Sequence, residues 1–190
     1  LPNLPHLDNA NSHLWFGWYS GRRGDLTDYL DRLPRVGRFV SAFGSQSVPE
    51  GSPAFSDGTL DPATWPDVDM LRLAAKYGAE ADVLIRRFPP ADYPDAGSWA
   101  AATRHHQAEL LRIQIESLRR RKYLPTGGFA LDRLLDGSPA ISGSLLDHGR
   151  VPKPAFEAVA AACAQTIVVA DPPPVSITPR STMHCRILVL

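Results

Sequence analysis

Residues 38–49, which read RFVSAFGSQSVP, decide the fold. The run from Gly37 to Gly44 is short, rich in aromatic and apolar residues and bounded by glycine, which predicts a buried strand. Residues 45–66 follow with four prolines and scattered Gly, Ser and Asp, and they predict a long loop. Long loops inside compact domains are usually functional or disordered. The end of this strand is therefore the first place to look for a site.

Two further strands are predicted on either side of this stretch. Residues 13–19 (HLWFGWY) form an aromatic run of strand length, and residues 129–135 follow a Pro-Thr-Gly-Gly turn. A short β-branched run at 166–170 predicts one more strand before three prolines at 172–174, which we take as a boundary. Helices are predicted in between, at 25–33, 67 to about 87, 99 to about 122 with Ser98 as its cap, and 153–165.

This order of strands and helices predicts a parallel α/β fold. A closed (β/α)₈ barrel typically needs about 250 residues and eight strands. The chain has 190 residues and shows only about three strands of the barrel type. We therefore predict a partial (β/α)₈ TIM barrel, or a chain that lacks the amino-terminal portion of one.

Composition argues against several classes of partner. Twenty basic and twenty acidic residues give a formal net charge of zero, so no global field attracts nucleic acid or an anionic membrane. No stretch reaches 18 apolar residues, and residues 1–16 lack the basic-then-apolar order of a secretory signal. We predict no nucleic-acid partner and no membrane partner, and a cytoplasmic location is favoured unless the true amino terminus is missing.

Metal and cofactor chemistry finds little support. Two cysteines form neither a disulfide framework nor a metal cluster. His105 and His106 are adjacent on a predicted helix and so point about 100° apart, and the spacing that brings two imidazoles onto one face is missing. Glycine-rich phosphate loops and the G-x-S-x-G motif are absent as well. We predict no metal site and no cofactor.

Three motifs, in order, carry a resemblance to a known family. Residues 38–49 resemble the seventh-strand motif R-F-x-S-E-F-G-x-Q-S-x-P of glycoside hydrolase family 2, in its β-mannosidase-like branch. Residues 13–18 resemble the H-x-W-x-x-W run that ends the sixth strand, and residues 144–154 resemble the S-x-x-D-x-x-x-x-P-K segment after the eighth. The resemblance implies that residues 1–165 are the carboxy-terminal part of the catalytic barrel. Residues 166–190 would begin a following β-sandwich-like domain or form an irregular tail.

The departures from the family pattern are as informative as the matches. Ala42 stands where the resemblance implies a nucleophilic Glu, and Gly143 stands where a tryptophan is expected. The strand that would carry the general acid/base has no counterpart. A retaining glycosidase needs two carboxyl groups about 5–5.5 Å apart, and a methyl group can neither attack nor protonate. The resemblance implies a hydrolase of β-glycosides, plausibly β-mannosides, that is inactive as this chain.

Binding is chemically separate from turnover. Sugars are held by aromatic faces and by hydrogen bonds from amide and imidazole groups. We predict that His13, Trp15 and Gln46 bind a β-glycoside, while Trp18 belongs to the core. The competing hypothesis is a non-catalytic carbohydrate-binding or structural relative. An open barrel would also leave an unpaired strand edge, so we expect self-association.

Overall fold

The computed structural model describes residues 11–170, 176, 178–180 and 182–190. Its main sheet has three short strands, β1 (Ser12–Leu14), β2 (Phe39–Phe43) and β3 (Gly128–Phe129). They pair in parallel in the order β1-β2-β3. The three predicted strands thus form one parallel sheet in a mixed α/β structure, and their carboxyl ends share one edge.

The strands are shorter than the sequence predicts. The run 13–19 leaves the extended conformation after Leu14, because Gly17 takes a φ of +80° and residues 17–19 form a turn. The third strand ends at Phe129, although the sequence predicts it to continue to 135. These early endings leave aromatic and charged side chains beyond the strand ends, where a site can form.

Five α-helices lie in the described part of the chain: α1 (Asp25–Arg32), α2 (Met70–Tyr77), α3 (Ala81–Arg87), α4 (Ala96–Arg119) and α5 (Pro154–Ala162). The first is close to its prediction. Short 3₁₀ turns at Pro34–Gly37, Pro53–Phe55 and Pro90–Asp92 complete the connections. A separate antiparallel pair joins β4 (Val168–Ala170) to β5 (Ile187–Val189). The proline run at 172–174, the predicted boundary, lies outside the described residues.

Two helix predictions are wrong in detail. The single helix predicted from 67 to 87 is broken, because Gly78 adopts the left-handed conformation (φ +67°) that caps α2, and α3 starts afresh at Ala81. The long helix α4 begins three residues before the predicted Trp99. Asp95 is its cap, and its carboxylate accepts a hydrogen bond from the Ser98 backbone N–H.

Two apolar clusters hold the structure together. One lies between the sheet and helices α1, α4 and α5, and its buried members include Leu14, Val40, Leu26, Leu111 and Ile115. Gly44 lies against it: its φ is +108°, and a Cβ there would come within 2.8 Å of Leu111 Cδ2. Only glycine fits this turn at the end of β2.

The second cluster packs the long loop 45–66 against α2, α3 and the start of α4. Val48, Ala54 and Leu60 from the loop are fully buried beside Leu73 and Trp99. The loop is therefore an ordered part of the core. It carries the chain from the end of β2 toward α2, which ends at the Gly78 break.

Candidate active site

A cavity of about 410 Å³ opens at the carboxyl ends of β1 and β2. This is the edge of a parallel α/β sheet at which ligands commonly bind. Its lining comes from the last residues of β2 and α2 and from the segments that follow β1, β2, α2 and β3. The lining residues are Trp15, Trp18, Tyr19, Phe43, Ser45, Gln46, Tyr77, Gly78, Glu80, Asp132, Arg133 and Ala140–Gly143.

Ala42 and His13 lie side by side on neighbouring strands. They are register partners in the β1–β2 ladder, just after a register shift between Ser12 and His13. Ala42 is 5% exposed, and the cavity lining includes its neighbours Phe43 and Ser45 without it. His13 is half-buried and does not line the cavity either.

Trp15 and Trp18 occupy different environments. Trp15 is half-buried, lines the cavity and meets the Tyr19 ring edge-on at a centroid distance of 5.5 Å. Trp18 is 1% exposed and belongs to the core cluster, although one side of it also lines the cavity. Trp15 is thus the more accessible aromatic surface of the two.

Gln46 uses its amide to fix the break between α2 and α3. Its Nε2 donates to the Gly78 carbonyl at 3.2 Å, and its Oε1 accepts from the Glu80 N–H at 2.9 Å. The side chain is one of those that line the cavity. Its hydrogen bonds, however, hold the protein backbone, which makes it a positioning residue for Glu80.

Glu80 is the functional candidate that sequence reasoning missed. Its carboxylate lines the cavity and accepts hydrogen bonds from the Trp18 indole N–H and the Tyr19 hydroxyl. Burial, and then the hydrogen bond to Glu80, raises the pKa of Tyr19, so this phenol stays protonated and remains a donor. Gly78, two residues earlier, was the available signal, because a left-handed break redirects the chain there.

Behind the cavity, a buried polar cluster ties the loop after β3 to the end of β2. Asp136 accepts hydrogen bonds from the Ser142 and Ser144 hydroxyls, each at 2.7 Å. Gln107 of α4 bridges Ser144 to Ser47: its Nε2 donates to the Ser144 carbonyl, and its Oε1 accepts from the Ser47 hydroxyl. These bonds anchor the wall that carries Gly143.

Lys153 completes this cluster. It is 2% exposed, and its ammonium donates to the Ser142 carbonyl at 3.1 Å. Burial lowers its pKa to about 8, although the charges of Asp136 and Asp147 act in the opposite direction. Asp147 caps the adjacent turn, with its carboxylate accepting from the Val151 N–H at 2.9 Å. The segment that resembles S-x-x-D-x-x-x-x-P-K therefore has a scaffolding role in the described structure.

Within the described ranges, no group of three or more His, Cys, Asp or Glu side chains could hold a metal ion. His106 instead hydrogen-bonds the Gly17 carbonyl at 2.9 Å, and burial lowers its pKa to about 4. His105 lies 3.4 Å from Glu109. Among the same residues, no helix is both long and apolar enough to cross a membrane.

Comparison with known proteins gives structural matches only. No family model and no curated protein matches the sequence. A solved β-D-mannosidase from Dictyoglomus thermophilum is similar, with a TM-score of 0.66 and 23% identity over 89% of this chain and 20% of that chain. An FMN-binding β-glucuronidase from Facaelibacterium prausnitzii L2-6 aligns with a TM-score of 0.46 and 13% identity, over 84% of this chain and 21% of that one.

The chain thus spans about a fifth of the length of these two solved proteins. The alignment with the mannosidase covers most of the present chain at a TM-score well above 0.5. The mixed α/β structure with its small parallel sheet therefore has the fold of a part of a β-mannosidase.

Proposed function

We propose that this chain is the carboxy-terminal part of a family 2-type glycoside hydrolase barrel whose cavity binds a β-glycoside, plausibly a β-mannoside. The observation that carries the proposal is the cavity at the carboxyl ends of parallel strands, in a fold shared with part of a β-mannosidase. Activity in such enzymes is built at this edge of the sheet. The three sequence motifs 13–18, 38–49 and 144–154 support the same assignment.

The cavity has the composition that a sugar requires. Trp15 offers an aromatic surface for the C–H face of a pyranose ring, while the Tyr19 hydroxyl and the Glu80 carboxylate offer polar partners. Gln46 stabilises this arrangement through the Gly78–Glu80 turn. His13, beside Ala42 on β1, is proposed to contact a sugar that reaches deeper toward the strand ends.

Turnover is not proposed for this chain. A retaining mechanism needs a nucleophilic carboxylate and a second carboxyl acid about 5–5.5 Å away. Ala42 has only a methyl group at the position that the resemblance gives to the nucleophile. Asp136 is already engaged by two serine hydroxyls, and Glu80 by Trp18 and Tyr19. The proposed role is recognition of a glycoside, with hydrolysis as the ancestral activity.

The alternative is a carbohydrate-binding or structural remnant with no enzymatic partner. What favours it is the internal pairing of the cavity: the polar groups of Gln46 and Glu80 both hydrogen-bond within the protein. The two proposals share the binding cavity and differ in catalysis. The variant Ala42→Glu, which restores a carboxylate at the position of the nucleophile, distinguishes them.

Binding is tested by titrating the chain with methyl β-D-mannopyranoside and following saturation-transfer NMR and heat of binding. We expect Trp15→Ala to weaken binding by up to about tenfold, because one aromatic stacking contact is worth roughly 0.5–1.5 kcal/mol beyond simple burial. Trp15→Phe should fall between the two proteins. Tyr123→Ala removes an exposed aromatic ring that does not line the cavity and is the matched control.

Loss of binding in the Tyr123 variant as large as in the Trp15 variant would contradict the assignment of the cavity. Retention of full affinity in Trp15→Ala, with a native thermal melt, would contradict it as well.

A further inference from the structure

The polar half of the cavity carries a definite charge pattern. Its lining includes two carboxylates, Glu80 and Asp132, and one guanidinium, Arg133. Arg133 Nη1 lies 3.6 Å from Oδ1 of Asp136, a residue that does not line the cavity. The tyrosines Tyr19 and Tyr77 have raised pKa values, chiefly because they are buried, and stay neutral. The charged side chains of the lining are thus two carboxylates against one guanidinium, one net negative charge.

Glu80 is held more firmly than an ordinary surface carboxylate. Each of its oxygens accepts one hydrogen bond, from Trp18 or from Tyr19, and its own N–H is held by Gln46. A carboxylate oxygen can accept about two hydrogen bonds. One acceptor position on each oxygen thus remains for a ligand, and the spacing of two carboxylate oxygens suits a pair of neighbouring hydroxyl groups.

Ser45 adds a second polar group at the β2 side of the cavity. It is 2% exposed, and its hydroxyl has no hydrogen-bond partner among the residues that the structure describes. A buried hydroxyl without a partner is costly, and such groups in native proteins call for an explanation. Rotation about χ1 moves a serine hydroxyl between staggered wells, and a ligand hydroxyl in the cavity would supply the missing partner.

We infer that Glu80 is the anchor for the hydroxyl groups of the bound sugar, and that the negative lining restricts the cavity to neutral glycosides and rejects uronides. This inference rests on the proposed function and names its substrate class. A uronide differs from the neutral sugar by a carboxylate in place of the C6 hydroxymethyl group. That carboxylate would meet the half-buried Glu80 in a partly enclosed space, where like charges repel more strongly than in bulk water. Asp132 is exposed and adds a weaker, screened repulsion.

The test is a matched pair of ligands, methyl β-D-mannopyranoside and methyl β-D-mannuronate, titrated at pH 7 into the chain. We expect the neutral sugar to bind at least tenfold more tightly. Glu80→Gln should weaken the neutral sugar several-fold and bring the two affinities closer together. The Tyr19 hydroxyl can reverse its hydrogen bond toward the new amide, so the cavity is expected to survive this change.

Two further variants keep the test decisive if Glu80→Gln folds poorly. Asp132→Asn removes a charge without touching the Trp18 and Tyr19 bonds, and should shift the affinity ratio in the same direction by a smaller factor. Glu157→Gln makes the same chemical change on the exposed side of α5 and should alter neither affinity.

The outcomes are separable. Equal affinity for the two sugars, tighter binding of the mannuronate, or an unchanged ratio in both cavity variants would overturn the role of Glu80 while leaving a sugar cavity in place. Failure of either sugar to bind would overturn the proposed function and this inference together.

Discussion

The cavity wall and the buried cluster behind it use similar residues in opposite ways. In the cluster, the polar groups of Asp136, Ser144 and Lys153 are hydrogen-bonded to other parts of the protein. At the wall, Ser45 has an unpartnered hydroxyl in the described structure, and Glu80 keeps acceptor capacity. In a structural cluster the polar groups hydrogen-bond to one another, whereas at a binding surface some donors and acceptors stay available for a ligand. The difference predicts that substitutions in the cluster lower stability, while substitutions at the wall change binding or chemistry.

The largest effect is expected at position 42, which lies on β2 next to the lining residue Phe43. Ala42→Glu, in the full-length product of the coding sequence, restores a carboxylate at the position that the resemblance gives to the nucleophile. If the rest of the catalytic apparatus accompanies this chain, hydrolysis of a nitrophenyl β-D-mannoside should rise roughly a thousandfold or more, since loss of a nucleophile costs rates of this order or larger. Ala42→Gln is the control, because glutamine has the shape of glutamate but cannot act as a nucleophile.

Equal rates for Ala42→Glu and Ala42→Gln would favour the alternative of a binding or structural remnant. A rise in the Glu variant alone would assign position 42 to the reacting centre.

Breaking the cluster should have a large effect of a different kind. Asp136→Ala removes the acceptor of two serine hydroxyls and a nearby negative charge that supports Lys153. We expect a loss of about 3 kcal/mol in the free energy of unfolding, because it leaves buried polar groups and a charge uncompensated. Urea unfolding followed by circular dichroism measures this. If the free energy of unfolding falls by less than about 1 kcal/mol, the cluster does not anchor the cavity wall.

The sequence predicts the arrangement of the strands better than the residues of the site. The parallel order of β1, β2 and β3 and the location of Trp15 follow from hydrophobic runs and motif order. Glu80 does not follow from such patterns: Gly78 signals a break in the helix nearby, but the place of Glu80 in the cavity depends on Gln46, which is 34 residues earlier. The place of Gln46 after β2 predicts sugar binding, yet its amide is held by the backbone of Gly78 and Glu80, 32 and 34 residues later. Such long-range pairings leave no local pattern.

A smaller effect tests the cluster through pH. Burial lowers the pKa of Lys153 to about 8 from a usual 10.5, so between these values the folded chain binds fewer protons than the unfolded chain. Stability should therefore rise with pH across this window, by up to about 3 kcal/mol for this group. Below pH 8 the full penalty of burying the charge is present. Lys153→Met has no such group, and its unfolding free energy should lack this rise.

A rise of the same size in Lys153→Met would assign the pH dependence to other groups and contradict the burial of the ammonium. An unfolding free energy that does not change with pH in either protein would also contradict the burial of the Lys153 ammonium.

The central claim is that the cavity beside β1 and β2 receives a sugar ring, and a crystal structure of the chain with methyl β-D-mannopyranoside tests it most directly. The account predicts a pyranose with one face on Trp15 and hydroxyl groups within hydrogen-bond distance of the Glu80 carboxylate. Sugar bound elsewhere, or an empty cavity at saturating ligand, would contradict it.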